Sequence, residues 1–343
     1  MMKSIKDFTL EELKKEFSGI DEPLYRAEQV FSWLYRKGAS RFEDMTDLSK
    51  GLIDKLGKKY FISALELSER QKSGEGTEKF LFKLRDGSFI ETVLIPAKGR
   101  KTLCLSTQVG CRFACPFCAS GERGFMRNLT PGEITSQILF LKYNGAHAIT
   151  NYVFMGMGEP LDNFENLRAA LKIMTSPKGM DIGARRITVS TCGIIPGIKK
   201  LADLSMQINL SVSLHAADDE LRDQLVPVNR RYPLEKLIKA CEEYATKTNR
   251  LITLEYVLIK GENDLRLDAE RLAAVARRLR AKVNLIACSG TFRQKFQPPS
   301  QKAVDAFLGS LVRKKVNVTL RKSRGSDIQA ACGQLAGRGK SEV

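Results

Sequence analysis

From about residue 100 onward, the sequence alternates between short apolar segments and longer stretches with helical periodicity. Segments with the length and composition of strands lie at residues 102–107, 151–155, 186–190, 207–213, 251–258 and 282–287. Strands that are separated by helical crossovers pair in parallel, so the alternation predicts an α/β fold with a parallel sheet. Six such units would form an open or partial (β/α)6 barrel, in which the chemistry lies at the carboxyl ends of the strands.

The first sixty residues have the features of a small helical domain. Thr9 and Glu12 have the spacing of a capping box, which predicts the start of a first helix. Asp21, followed closely by a proline, predicts the start of a second helix that ends at Gly38. A third candidate helix covers about residues 48–56.

The next segment has the pattern of a β-hairpin. Alternating residues 79–84 and 88–95 flank the pair Asp86-Gly87. An Asp-Gly pair between two alternating segments favours a tight hairpin turn. We therefore predict a helical domain, a β extension, an α/β core and a tail, with boundaries at residues 1–60, 61–98, 99–336 and 337–343.

The charge of the chain constrains its partners. Lys and Arg number 56 against 39 Asp and Glu, which gives a formal net charge of +17. Such an excess opposes compaction unless a polyanion neutralises it, so it favours a nucleic acid as partner. The sequence contains no apolar run of about 18 residues and no signal-peptide core at its N-terminus. We therefore expect a cytoplasmic protein with no membrane partner.

Three of the eight cysteines form a compact group. Cys111, Cys115 and Cys118 have the spacing C-x3-C-x2-C in the loop after the first core strand. Cytosolic thiols stay reduced, so clustered cysteines indicate metal binding or catalysis. A zinc site normally has four protein ligands, and here it would need Cys104 or His147 as the fourth. Three thiolates can instead bind an iron–sulfur cluster and leave its fourth iron open.

This spacing, with Phe117 directly before the third cysteine, resembles the signature of the radical S-adenosylmethionine (SAM) superfamily. The resemblance implies a [4Fe–4S] cluster on Cys111, Cys115 and Cys118. It also implies that the open iron binds the amino and carboxylate groups of SAM, and that reduction cleaves SAM to a 5′-deoxyadenosyl radical. The fold it implies is a partial (β/α)6 radical SAM barrel.

Further segments resemble one family of that superfamily, the dual-specificity 23S rRNA and tRNA adenine-C2 methyltransferases known as RlmN. The segments lie at residues 25–35, 91–96, 156–161, 213–216 and 327–335. The resemblance covers about residues 5–336. It implies methylation of C2 of adenine in 23S rRNA, and in tRNA next to the anticodon, with an electron donor such as flavodoxin.

The same resemblance implies three catalytic roles. Cys332 would be methylated by one SAM, and the radical from a second SAM would remove a hydrogen from that S-methyl group. The methylene radical would then add to C2 of adenine. Glu91 would take the C2 proton, and Cys104 would resolve the protein–RNA adduct by forming a transient disulfide with Cys332.

These residue types suit the chemistry that the resemblance implies. C2 of adenine is a poor nucleophile, so direct methyl transfer from SAM is ineffective and a carbon radical is needed. A thiolate is a strong nucleophile for the first methyl group, and a second thiol can cleave the adduct by S–S formation. A carboxylate can act as general base. Judged by pattern alone, Cys104 and Cys332 would be packing residues and Glu91 a solvated charge.

Residues near the ends of the core strands are candidate SAM contacts. Gly158 exposes backbone after the second strand, and Glu159 can accept a hydrogen bond from the SAM ammonium group. The family resemblance implies SAM contacts at Gly158, Glu159, Ser190, Ser213, Leu214 and His215. Ser289 stands where the family has an asparagine, and its shorter hydroxyl can also donate and accept. We interpret Cys192, Cys241 and Cys288 as packing residues.

RNA contacts are predicted in two places. Residues 321–324, with three basic side chains just before the Cys332 segment, could contact phosphates beside the target base, which must be flipped out of its stack. The helical domain could contact RNA by shape and backbone. Three alternatives stay open: a Cfr-type enzyme that methylates C8 of the same adenine, a radical SAM enzyme with an unrelated substrate, and a non-catalytic RNA-binding protein with a structural metal.

Overall fold

The computed structural model describes residues 2–63, 65–145, 148–289 and 296–337, and it begins with a helical unit. The helices of this unit are α1 (Leu10–Ser18), α2 (Leu24–Ser32) and α3 (Lys50–Lys59). Two short strands, β1 (Lys3–Ser4) and β2 (Tyr60–Phe61), pair in parallel near its two ends. Leu13, Phe31 and Leu52, one from each helix, are buried in its core.

The start of the first helix is as predicted, but the start of the second is not. Thr9 and Glu12 form the capping box, in which the Thr9 backbone N–H donates to Glu12 Oε2 at 2.8 Å. The predicted start at Asp21 is wrong, because Asp21 has φ of 55° and Pro23 is the N-cap residue, without a side-chain hydrogen bond. Gly38, with φ of 74°, ends the segment after a π-helical turn at Trp33–Lys37.

The β extension has three antiparallel strands rather than two. They are β3 (Glu66–Lys72), β4 (Glu78–Lys83) and β5 (Phe89–Ala97). The predicted hairpin turn at Asp86-Gly87 is confirmed, with Gly87 at φ of 84°. Because β5 also pairs with β6 (Arg100–Cys104), the extension continues directly into the sheet of the core.

A small antiparallel pair encloses the three clustered cysteines. The two strands are β7 (Gln108–Gly110) and β8 (Phe125–Asn128), and the short helix α4 (Ala119–Arg123) lies between them. The segment that contains the cysteines therefore leaves β7 and returns to it through β8.

The rest of the core alternates helices and strands. In chain order they are α5 (Pro131–Asn144), β9 (Asn151–Phe154), α6 (Phe164–Thr175), β10 (Ile187–Thr191), α7 (Ile195–Ala202), β11 (Asn209–Ser213), α8 (Asp219–Leu225), α9 (Leu234–Thr248), β12 (Thr253–Leu258), α10 (Arg266–Arg278), β13 (Lys282–Ala287), α11 (Gln301–Arg313) and β14 (Asn317–Arg321). The capping box predicted before α5, at Thr130 and Glu133, is present.

The core strands form one parallel array, which confirms the predicted α/β architecture. The spatial order of the described sheet is β14-β13-β12-β11-β10-β9-β6-β5-β4-β3, and the strands from β14 to β6 are parallel. We predicted six of these seven parallel strands. β14 escaped prediction because it is an edge strand without a continuous apolar run, and none of its residues is fully buried.

The core strands are buried by the helices that connect them. Phe154, Val189, Leu210, Leu254 and Leu285 are inaccessible to solvent or nearly so. Since all seven strands point in one direction, their carboxyl ends meet along the same edge. In the part of the chain that the structure describes, no helix is long and apolar enough to cross a membrane.

Candidate active site

A cavity of about 160 Å³ lies at the carboxyl ends of the parallel strands. Ten of the thirteen predicted site residues line it, namely Cys111, Cys115, Cys118, Gly158, Glu159, Ser190, Ser213, His215, Ser289 and Cys332. The other three, Glu91, Cys104 and Leu214, do not line this cavity. The fold thus gathers residues from five core strands and two loops around one space.

The loop that carries the three cysteines is shaped by its own backbone. Cys111 N–H donates to the Gly124 carbonyl at 3.1 Å, and Cys118 N–H donates to the Cys115 carbonyl at 3.0 Å. Gly110, with φ of 73°, allows the two ends of the loop to approach, because a Cβ atom there would lie 1.7 Å from the Gly124 carbonyl oxygen. The glycine is therefore required for the loop to close.

The thiols of this loop face one cavity in a desolvated environment. Burial raises the pKa of Cys111 to about 12 and the pKa of Cys115 far above its usual range. Burial also raises the pKa of Cys118, although backbone hydrogen bonds from Gly121 and Ser120 oppose this shift. Three half-buried, desolvated thiols would stay protonated unless a metal displaced their protons, as thiolate-ligated metals do.

This donor set fits an iron–sulfur cluster better than a single metal ion. Among the described residues, no three Cys, His, Asp or Glu side chains converge closely enough to hold one ion. The thiolates of a cubane bind different irons and so stand farther apart than the ligands of a single zinc. Cys104 does not line the cavity, and His147, the other candidate fourth zinc ligand, lies outside the described residues.

Gly158 and Glu159 occupy the turn after β9. Gly158 has φ of 93°, and a Cβ atom there would lie 2.5 Å from the Gln108 side chain, so only glycine fits. The buried Glu159 carboxylate accepts hydrogen bonds from Cys192 N–H at 2.8 Å and Leu161 N–H at 3.1 Å. Burial raises the pKa of Glu159, while these hydrogen bonds favour its charged form. Glu159 thereby joins the ends of β9 and β10 beneath the cavity.

The ends of β10 and β11 contribute two hydroxyls and one imidazole. The Oγ atoms of Ser190 and Ser213 are 3.5 Å apart. His215 Nδ1 accepts a hydrogen bond from Val257 N–H at 3.1 Å, and its ring packs edge-on against Phe117 of the cysteine loop. Burial lowers the pKa of His215 to about 3, so the ring is neutral at physiological pH. Leu214, in contrast, is buried in the hydrophobic core.

Two cysteines that we interpreted as packing residues also line the cavity. Cys192 directly follows β10, and Cys288 directly follows β13 beside Ser289. Their positions after two strands of a parallel sheet could have identified them in the sequence. Cys241, by comparison, is buried within α9, away from the cavity.

Cys332 and Cys104 are close enough for the charge of one to affect the pKa of the other. Cys104 ends β6 and is buried, whereas the Cys332 side chain is exposed in the cavity. Burial raises the pKa of Cys104 to about 12, and the charge of Cys332 adds to this shift. The surrounding protein also desolvates Cys332 and raises its pKa, although its side chain opens to solvent. All eight cysteines, each within the described residues, are free thiols.

An ion pair that sequence reasoning missed lies beside these two cysteines. The Arg321 guanidinium approaches Glu255 Oε2 at 3.5 Å. Its positive charge opposes the rise in pKa that desolvation causes at Cys104 and Cys332. Glu255 is buried and also accepts a hydrogen bond from Asn284 at 3.0 Å. A carboxylate inside the otherwise apolar segment of β12 was the available signal, because a buried charge requires a partner.

The basic segment at residues 321–324 is directed largely into the protein. Arg321 pairs with Glu255, and Arg324 donates to the Pro96 carbonyl at 2.7 Å. Ser323 Oγ donates to the Ala287 carbonyl at 3.2 Å. These contacts tie both arginines to neighbouring parts of the protein, and the phosphate contact expected from the sequence stays a prediction.

Glu91 lies on β5, buried, and its carboxylate is fully engaged. Oε1 pairs with Lys79 Nζ at 3.1 Å. Oε2 accepts hydrogen bonds from Ala336 N–H at 2.7 Å and Gly337 N–H at 2.8 Å. Glu91 is therefore not the solvated charge that its sequence position alone suggested, but an acceptor for the segment that follows Cys332.

Comparison with known proteins agrees with this arrangement. The family model of the radical SAM superfamily matches residues 105–282, and that of the ribosomal RNA large subunit methyltransferase N-terminal domain matches residues 3–62. A radical SAM methyltransferase from Sphaerobacter thermophilus has a similar crystal structure, with 43% sequence identity and a TM-score of 0.93. That match covers 98% of this chain and 100% of the other.

Two curated relatives extend the agreement over nearly the whole chain. A dual-specificity RNA methyltransferase RlmN from Geotalea uraniireducens (strain Rf4) is 46% identical over 97% of this chain and 96% of its own length. A dual-specificity RNA methyltransferase RlmN from Syntrophus aciditrophicus (strain SB) is 44% identical over 99% of this chain and 98% of its own length. The chain therefore belongs to the RlmN family of RNA methyltransferases within the radical SAM superfamily, whose members use a [4Fe–4S] cluster and SAM.

Proposed function

We propose that this radical SAM RNA methyltransferase methylates C2 of an adenine in 23S rRNA, and in tRNA next to the anticodon, through S-methylation of Cys332. One observation carries the proposal: the exposed Cys332 lines the same cavity as the three cysteines of the C-x3-C-x2-C loop. A carbon-centred reaction requires the thiol that carries the methyl group and the source of the radical to share one space. The overall similarity to RlmN proteins supports the choice of C2.

The cavity would hold the cluster and SAM at different walls. Cys111, Cys115 and Cys118 would hold the cluster, which when bound supplies the electron that cleaves SAM to a carbon radical. The polar residues at the strand ends would hold SAM, with Glu159 facing its ammonium group. Ser289 lies at the cavity wall, where its hydroxyl would replace an asparagine amide as a SAM contact.

Cys332 would accept the methyl group as a thiolate. Arg321 favours this form, because its positive charge lowers a thiol pKa that desolvation raises. The proposed reaction uses two SAM molecules per turnover, one as methyl donor to Cys332 and one as radical source. The Cys332 side chain would then carry the methylene group to the adenine.

Cys104 and Glu91 would complete the reaction. The radical adduct would first lose its C2 proton and one electron, for which the cluster would be the acceptor. The Cys104 thiolate would then attack the Cys332 sulfur, so that an S–S bond forms as the bond from that sulfur to the methylene carbon breaks. The methylene carbon would keep the electron pair and take a proton, which releases the base with its methyl group. The high pKa of Cys104 means that it becomes reactive only when it loses its proton near Arg321. Glu91 would take the C2 proton, which requires one of its oxygens to be freed from its present hydrogen bonds.

The N-terminal helical unit would provide a second RNA contact. The match of residues 3–62 to an rRNA methyltransferase N-terminal domain and the net charge of +17 support this role. We propose three functional units. Residues 1–60 would contact RNA, residues 61–98 would carry the base Glu91, and residues 99–336 would carry out the radical chemistry. Residues 337–343 would be a tail, of which only Gly337 is described. An electron donor such as flavodoxin would reduce the cluster.

Nucleoside analysis tests this function. The cluster would be reconstituted anaerobically, and the enzyme incubated with SAM, a reductant and unmodified 23S rRNA fragments or tRNA, before mass spectrometry of the digested nucleosides. We expect 2-methyladenosine with the wild-type enzyme and none with Cys332→Ala. Formation of 8-methyladenosine would instead assign the Cfr-type reaction. SAM cleavage without any methylated adenosine would refute the proposed RNA reaction.

A further inference from the structure

The pairing of β4 with β5 places Lys79 and Glu91 on the same face of the sheet. Glu91 lies opposite Leu81, and Lys79 lies opposite Val93, so Lys79 and Glu91 are diagonal neighbours. Their side chains, Nζ and Oε1, meet at 3.1 Å, and both are almost completely buried. A buried pair of this kind loses its solvation and is retained only where each charge is satisfied.

Both members of this pair also hold the segment that contains Cys332. Lys79 Nζ donates to the carbonyl of Gln329, three residues before Cys332, at 3.5 Å. Glu91 Oε2 accepts from Ala336 and Gly337, four and five residues after Cys332. One ion pair therefore anchors both ends of residues 329–337, which we call the Cys332 loop.

A second set of bonds holds the Cys332 loop to the helix that follows the clustered cysteines. Ala119 N–H donates to the Gly333 carbonyl at 2.7 Å, and Ser120 Oγ donates to the Leu335 carbonyl at 2.5 Å. Arg123 donates to the carbonyls of Ala336 and Gly337. The loop is thus held from the β extension on one side and from α4 on the other.

The backbone of the Cys332 loop shows why it needs such anchors. Gln329 has φ of 54°, a left-handed conformation that is unfavourable for a residue with a side chain. Such a conformation persists only when surrounding contacts fix it. Cys332 lies between the anchors and is itself exposed, so the anchors determine where its sulfur is directed.

The same anchors occupy the proposed base. Glu91 Oε2 binds two backbone amides and Oε1 binds Lys79, so neither oxygen is available to a C–H group of a substrate. The adenine can therefore use Glu91 only after Ala336 and Gly337 have moved away. Lys79 can remain in place during that movement, because its bonds to Glu91 and Gln329 do not involve the amides.

We propose that Lys79 is a positioning residue for methyl transfer, which with Glu91 holds the Cys332 loop closed in the RNA-free enzyme, and that RNA binding releases the Ala336–Gly337 end. The inference rests on the proposed function, since the released oxygen would be the one that serves as base. RNA entry then has two effects: it frees Glu91 and gives the Cys332 loop the freedom to bring its sulfur to the base.

Hydrogen exchange of the full-length enzyme tests whether Lys79 holds the loop. Wild type, Lys79→Arg, Lys79→Met and Lys83→Met would be compared by mass spectrometry of peptides that cover residues 329–337. Lys83 is the matched control, because it is an exposed lysine on the same strand. We expect exchange in the loop to rise about tenfold or more in Lys79→Met, as for loss of a buried partner. Lys79→Arg and Lys83→Met should stay near wild type.

The second arm adds an unmodified 23S rRNA fragment to the wild-type enzyme. Exchange at residues 336 and 337 should increase, while exchange in α5 and α6 should not. In turnover assays, kcat of Lys79→Met should fall at least about tenfold relative to Lys83→Met, with unchanged iron content and KM for RNA, and Lys79→Arg should restore it. A lower kcat with unchanged KM and iron content would not arise from a general loss of stability.

The outcomes separate the inference from the proposed function. Equal loop exchange in Lys79→Met and wild type, or a loop that stays protected while RNA is methylated, would overturn the inference. If Lys79→Met does not fold, the wild-type enzyme with and without RNA still decides the release of residues 336 and 337. If the wild type methylates no RNA, the proposed function fails. Hydrogen exchange in the Lys79 variants would still show whether Lys79 anchors the Cys332 loop.

Discussion

Two loops meet at the active-site cavity, and they are held in different ways. The loop with Cys111, Cys115 and Cys118 is closed by β7, β8 and its own backbone hydrogen bonds. The Cys332 loop contains one short turn of its own, in which Gln334 N–H donates to the Ala331 carbonyl at 3.0 Å, but its two ends are held by side chains of Lys79, Glu91 and Arg123. Glu91 and its partner Ala336 are 245 positions apart in the chain.

This difference agrees with the chemistry that we propose for each loop. Ligands of a cluster must keep fixed positions, and short-range backbone bonds provide them independently of the substrate. A side chain that carries a methyl group to RNA must be held in one step and moved in another. Side-chain anchors can be released by a substrate that competes for them, whereas backbone closure of a short loop cannot be released without unfolding it.

Removal of one thiol from each loop should separate the two roles, and it has the largest expected effect. Cys118→Ala should lose iron and all cleavage of SAM, because one cluster ligand is missing. Cys332→Ala should keep its iron and cleave SAM to 5′-deoxyadenosine but form no methylated adenosine. Iron analysis and mass spectrometry of the nucleosides measure both effects. Cys241→Ala, away from the cavity, should retain both activities; if Cys332→Ala still methylates RNA, the contrast between the loops is wrong.

Removal of Cys104, the proposed resolving thiol, tests the side of the site that long-range contacts assemble. Cys104→Ala should form at most about one adduct per enzyme and then stop, because no second thiol can release the base. The readout is the amount of covalent protein–RNA complex after denaturing electrophoresis. Cys288→Ala, which also lines the cavity, serves as the matched control and should turn over repeatedly. Multiple turnovers by Cys104→Ala would exclude Cys104 as the resolving residue.

A change at Arg321 should alter the pH dependence of Cys332 without touching the cysteine loop. Desolvation raises the pKa of Cys332 and Arg321 opposes it, so Arg321→Met should raise that pKa further. The thiolate is the nucleophile, hence S-methylation should increase with pH and its rise should move to higher pH in the variant. A shift of one pKa unit lowers the rate about tenfold below the pKa.

The measurement is the methyl content of Cys332 after timed incubation with SAM at several pH values. Arg321→Lys is the control, because it keeps the positive charge near the thiol. A pH profile that is the same for Arg321→Met and the wild type would mean that the guanidinium does not act on Cys332. A lower rate at every pH with an unshifted profile would point to a packing role for Arg321.

The smallest expected effect concerns Ser289 at the wall of the cavity. Ser289→Asn should change the dissociation constant of SAM by less than about tenfold, which corresponds to one hydrogen bond or less. Equilibrium binding of SAM to the reconstituted enzyme measures it. Ser190→Ala, which removes another hydroxyl that lines the cavity, provides a comparison. If Ser289→Asn binds SAM much more tightly than the wild type does, Ser289 is a weakened SAM contact.

Features that depend on short spacings could be predicted from the sequence. Alternating segments and crossovers predicted the parallel sheet, because each element carries its own periodicity. The spacing of Cys111, Cys115 and Cys118 predicted one compact donor group, since a loop of eight residues cannot separate them widely. The hairpin turn at Asp86-Gly87 and the capping box at Thr9 were predictable for the same reason.

Tertiary structure alone decided the features that depend on distant partners. Nothing local to Glu91 indicates that it binds the amides of Ala336 and Gly337, and nothing local to Arg321 indicates that its charge acts on two cysteines. Leu214 lies next to two cavity residues in sequence, yet its side chain enters the core because neighbouring positions of a chain at a strand end point to different sides. The sequence thus specified the loop that we propose as the cluster site, whereas only the packing of the sheet against the Cys332 loop specified how the Cys332 side chain is held.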